Sequence, residues 1–139
     1  IHLWGDFLSC SSNRSEQFLK TFDTLYATNH KFYGFADYFL AIPAHTQGKG
    51  LVDLALKLGA KPVKGLDFKL HGHVFMAPYP QGGSDMFGYE VDFQAMYTHE
   101  GYAGVGLGLF TMIPDDALEA RIGGKDVDVG VYVTVQGKI

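Results

Sequence analysis

The side chains best equipped for chemistry lie between residues 53 and 92. His71-Gly72-His73 puts two imidazoles on one face of an extended strand, because alternate residues of a strand point the same way. That spacing chelates a metal when a third ligand such as Glu90 or Asp92 faces the pair. With only two ligands local, the pattern reads as ordinary polar-face histidines, and neither a metal nor a cofactor is expected. Lys57, Lys61 and Lys69 fall on the same face as His71 and His73. A hairpin closing at residues 63–65 would bring Lys61 to Asp67 and Lys57 to His71. Such a wall of mixed charge either contacts a polar or anionic solute directly or forms cross-strand pairs that keep an aqueous passage ordered. Asp53, Asp67, Glu90, Asp92 and Asp128 nearly balance the bases.

The remaining reactive residues carry little. Cys10, flanked by Ser9, Ser11 and Ser12, has no neighbouring motif that would activate a nucleophile, and no nucleophile, base and orienting group fall into a set. No catalytic residue is expected, and an enzyme is not the expected reading. Gly104-Val105-Gly106-Leu107-Gly108 alternates within a strand, so its glycines make room for bulky neighbours and do not form a dinucleotide loop. Gly123-Gly124-Lys125-Asp126 reads as a turn. Asp115-Asp116 and the Asp126/Asp128 pair read as solvated loop acids in preference to calcium ligands.

The elements that must position these residues have a period of two from about residue 51 onward. Val52, Leu54, Leu56, Leu58 and Ala60 alternate with Asp53 and Lys57. After a turn near residues 62–65, Leu66, Phe68, Leu70, Gly72, Val74 and Met76 oppose Asp67, Lys69, His71 and His73. Tyr89, Val91, Phe93, Ala95 and Tyr97 oppose Glu90, Asp92, Gln94, Met96 and Thr98, with aromatics near both ends of the apolar side. A turn at residues 99–101 leads to a strand from Tyr102 to Met112, and Val127 to Val135 forms the last. Phe32 to Leu40 and Ile1 to Leu8 are weaker strand candidates. Ser9 to Asn29 reads as a loop with a short helical turn around Ser15 to Thr21. The expectation is an all-β, antiparallel up-and-down meander of about seven strands. Short turns alternate with longer connections at 10–30, 77–86 and 113–126, the rim arrangement of a transmembrane β-barrel.

Composition sets the outer bounds. A chain of 139 residues, 14% aromatic and 19% charged, is expected to form a single domain, 1–139, or one piece of a larger one. Its 11 Lys and Arg against 15 Asp and Glu give a net charge of -4, which argues against a nucleic-acid partner. No window has the roughly 18 uncharged apolar residues of a membrane-crossing helix. Ile1 is not an initiator Met, so a processed chain or a fragment is expected.

The run Phe22-Asp23-Thr24-Leu25-Tyr26-Ala27-Thr28-Asn29-His30-Lys31-Phe32-Tyr33-Gly34 resembles a segment near the C-terminal end of the bacterial alginate export family of outer-membrane porins. Gly50-Leu51-Val52-Asp53-Leu54, Lys57 with Gly59-Ala60-Lys61-Pro62, the segment from Phe110 to Asp116 and Val131-Tyr132-Val133 are similar to the same family in the same order. The resemblance implies a β-barrel in the bacterial outer membrane, passing polar solutes or anionic oligosaccharides through a water-filled lumen. It also implies that His30 and Lys31 lie on a loop at the pore mouth or in the lumen. The lipid bilayer would be one partner. The strand count implies the C-terminal part of a longer barrel, or one sheet completed by other chains or by strands N-terminal to Ile1. Two alternatives are a scaffold sheet in an outer-membrane assembly and a soluble ligand-binding barrel with its apolar face inward.

Overall fold

The computed structural model describes residues 1–8, 32–78 and 85–137. They build one antiparallel sheet in sequence order, from β1 (His2–Leu8), β2 (Leu51–Ala60), β3 (Leu66–Met76), β4 (Met86–His99), β5 (Ala103–Pro114) and β6 (Asp128–Gly137). Two short helices accompany it, α1 (Ile42–His45) before β2 and α2 (Asp116–Ile122) between β5 and β6. From β2 to β6 each strand pairs with the next in the chain, while β1 adds to the free edge of β2 with Leu8 opposite Leu51. The sheet is open, its edges being β1 and β6.

Local chemistry sets the turns. At His99-Glu100-Gly101-Tyr102 both central residues have positive φ, 48° and 81°, and the Tyr102 amide donates to the His99 carbonyl at 3.0 Å. This left-handed pair matches the twist of the strands it joins. Gly65, with φ of 86°, closes the β2–β3 turn. The two tight turns lie at one end of the sheet, and the strand ends Leu8, Leu51, Met76, Met86, Pro114 and Asp128, between which the longer connections run, lie at the other.

The faces of the sheet are unlike. Leu54, Leu56, Leu70, Val91, Val105, Leu107, Leu109, Val129, Val131, Val133 and Val135 are exposed on one face, with Tyr89 and Tyr97 near its two ends. The other face carries the charged side chains and is overlaid at the long-connection end by residues 33–50 and α2. There Phe39, Ile42, Leu51, Phe75, Phe87, Met112 and Leu118 form the hydrophobic core. Phe39 sits 4.7 Å from the Phe75 ring and 5.4 Å from that of Phe87.

Two expectations are corrected. Phe32 to Leu40 is not a strand: it runs as bends and turns into α1, because its Phe39 anchors it on top of the sheet instead of in the ladder. Among the described residues there are thus six strands in place of about seven expected from pattern. The connection 113–126 contains a helix. Asp115 caps α2 by accepting from the Asp116 amide at 2.7 Å, and Gly123 ends it in the left-handed conformation with φ of 83°. The region Ser9 to Asn29, with its suggested helical turn, lies outside the described residues.

Candidate functional site

The polar face concentrates its charged groups midway along β2, β3 and β4. Register sets Lys57 opposite His71 and His71 opposite Asp92. One step along, Ala55 lies opposite His73 and His73 opposite Glu90. Asp53, His73, Glu90 and Asp92 are only 0%, 2%, 1% and 1% exposed, so a water-facing wall, as expected from the alternation, is not what these residues form. Part of the reason is the cover: residues 34–36 lie directly on Glu90 and Asp92.

Burial of ionisable groups demands partners, and most are present. The Phe35 and Ala36 amides donate to Asp92 Oδ1 and Glu90 Oε1, at 3.4 and 2.7 Å. Gly34, with φ of 81°, lies so close that a Cβ there would strike the Glu90 carboxyl group. His73 Nδ1 is 2.9 and 3.0 Å from the two Asp53 oxygens. Since a carboxylate only accepts, Nδ1 carries the proton and donates. His73 Nε2 then stands 3.8 Å from Asp92 Oδ2. Two oxygens in this set, Glu90 Oε2 and Asp92 Oδ2, have no hydrogen-bond partner.

His71 is half-buried beside it, with the Phe35 ring edge-on at 5.7 Å. The same Phe35 ring meets Tyr132 at 5.5 Å. Tyr132 lies across Gly108, where a side chain would collide with its ring; Gly130 makes the same room for Phe110. Gly108 does what its alternation with bulky neighbours suggested.

Of the candidate residues from sequence, the structure gathers His71, His73, Glu90 and Asp92, with Lys57 at their side. Lys61 stands at the tight-turn end in an ion pair with Asp67 at 3.5 Å, and Lys69 is exposed two residues before His71. His30 and Lys31 lie outside the described residues, as do Cys10 and the adjoining serines. Sequence reasoning missed Asp53 as a partner of His73, although a lone acid in the middle of an apolar strand was a usable signal. It also missed the Gly34-Phe35-Ala36 backbone, because amide donors have no signature in side-chain pattern.

At the long-connection end the covering segment is held by Arg121 from α2. Its guanidinium donates to the Tyr38 and His45 carbonyls, each at 2.8 Å, and lies 5.4 Å from the Tyr38 ring. His45 Nδ1 accepts from the Leu40 and Ala41 amides at 3.1 and 3.3 Å. Burial first, and the nearby Arg121 charge second, lower the His45 pKa below its ordinary 6.5. On the rim, Lys125 contacts Asp116 and Glu119, which raise its pKa.

Comparison of the chain with protein-family models, curated proteins and solved structures gives no match. No helix among the described residues is long and apolar enough to cross a membrane, which says nothing of strands.

Proposed function

We propose that the chain forms part of a transmembrane β-barrel of the alginate-export type in the bacterial outer membrane, a channel for polar solutes or anionic oligosaccharides. The observation that carries this reading is the uncovered apolar face running from β2 to β6. In water such a face is an aggregation surface; against acyl chains it needs no cover. Tyr89 and Tyr97 stand about 27 Å apart along β4 at ~3.4 Å per residue, comparable with the ~25 Å apolar band that aromatic girdles bracket in such barrels. The segregation of tight turns and long connections to opposite ends supports the same reading. The open edges of β1 and β6 are met by strands of a longer chain or of other chains. The solute passes along the charged face, narrowed by residues 33–50; burial of Asp53, Glu90 and Asp92 leaves Lys69, the Lys61–Asp67 pair and Asp128 among the charges that reach water there, a mixed wall suited to polar solutes. The role is non-enzymatic and needs no cofactor.

The test is conductance of the intact protein in proteoliposomes. Stepwise openings are expected; a protein that integrates and passes no current contradicts the transport role. A second reading, a scaffold sheet in an outer-membrane assembly, is favoured by one observation: the covering segment fills part of the face that a channel would leave open. Stable lipid integration without conductance is its signature.

A further inference from the structure

We propose that His71, His73 and Asp92 form a binding site for a divalent transition-metal ion of the zinc type. The two imidazoles and the carboxylate each offer one ligand atom, and the three atoms lie within 4.8 Å of one another. The third ligand comes from β4, directly across the sheet from His71.

Three features favour a cation here. First, the Asp53 carboxylate fixes the His73 tautomer, leaving the Nε2 lone pair to face Asp92 Oδ2 across 3.8 Å. A carboxylate–histidine–metal relay has this form, with the outer acid orienting the ring. Second, Asp92 Oδ2 is buried and has no hydrogen-bond partner. An ion within ~2.0–2.1 Å of each ligand would sit between atoms spaced about 3.3 Å in a regular tetrahedron, so the 3.8 Å pair has to close by about half an ångström and a pair at the 4.8 Å limit of the cluster by about 1.5 Å. Third, the Asp53 and Asp92 carboxyl groups flank the buried His73 ring, 2.9 and 3.8 Å from its two nitrogens. Two nitrogen ligands and one oxygen suit zinc better than calcium or magnesium, which prefer oxygen alone. His71, half-buried at the margin of Phe35, marks the side from which the ion enters, and a solvent molecule completes the coordination.

This inference stands apart from the channel reading, since the ligands are set by strand register whatever the sheet encloses. The intact protein, metal-stripped and folded in detergent, is titrated with Zn²⁺ against a chromophoric chelator, and separately with Co²⁺. One Zn²⁺ per chain and the intense visible bands of tetrahedral Co²⁺ are expected. His71→Ala should weaken Zn²⁺ binding by at least about 10-fold, and Asp53→Asn by about 10–100-fold through loss of ring orientation. His99→Ala, on an exposed turn, should leave binding unchanged. Absence of Zn²⁺ binding by the wild-type chain, a weak octahedral Co²⁺ spectrum, or binding indifferent to both His71→Ala and His71→Gln would each overturn the proposal.

Discussion

Arg121 shows how much one side chain does for the covering segment. Its Nη1 donates to the Tyr38 carbonyl, in a turn, and to the carbonyl of His45, the last residue of α1. Arg121→Ala should destabilise the docked segment by about 1.5–3 kcal/mol, the range for hydrogen bonds to a charged group. Urea unfolding of the protein in detergent measures it, and Arg121→Lys should restore only part, because the more strongly hydrated ammonium does not reproduce the planar guanidinium over the Tyr38 ring. His45 adds a pH dependence. Its Nδ1 must stay unprotonated to accept from Leu40 and Ala41, and its folded pKa lies below 6.5. The unfolded segment therefore takes up a proton before the folded one does, so stability rises with pH between the folded value and 6.5. Docking is complete above pH 6.5 and weakens as the pH falls below it. Hydrogen exchange at the Leu40 and Ala41 amides should accelerate over that fall beyond the intrinsic change, and His45→Gln should abolish the effect. At this scale the sequence was legible where register alone decides, as for Lys61 with Asp67. It was silent where backbone amides serve as partners, as for Glu90 with Ala36.

Among the elements, β2 to β6 were readable because one face of each is apolar and the other is not, so a period of two is written along every strand. Residues 32–40 misled because Phe32, Phe35 and Phe39 look like strand residues, whereas Phe39 is used as an anchor in the core. The helix α2 escaped because seven residues are too few for a 3.6-residue period to show; Asp115 and Gly123 at its ends were the available signals. The anchor has a measurable weight. Phe39→Ala should cost about 3–5 kcal/mol, as for other fully buried aromatics, and should expose residues 33–50 to protease while leaving the strands paired. The β5–β6 ladder makes the opposite demand: Gly108→Val should push the Tyr132 ring off its seat and destabilise this hairpin by about 1–3 kcal/mol, the overpacking range. Leu107→Val, on the opposite face of the same strand, should cost less. Thermal unfolding of the two variants side by side decides between a site-specific clash and a general loss of strand quality.

For the whole molecule the question is what touches the face that bears Val129, Val131, Val133 and Val135. The segment packed on the opposite face supports a charged interior, because the hydrophobic core lies on the same side as the buried carboxyl groups. A soluble barrel with its apolar face inward would put that core and its helices outside. The most direct measurement is nitroxide scanning along β6 from Asp128 to Gln136 in the protein reconstituted in lipid, with Cys10 replaced, comparing collision with oxygen and with a water-soluble nickel complex. High oxygen and low nickel accessibility at Val129, Val131, Val133 and Val135, falling at the residues between them, is the result expected of a strand facing acyl chains. Low accessibility to both reagents at those valines, or free access of nickel to them, would contradict it.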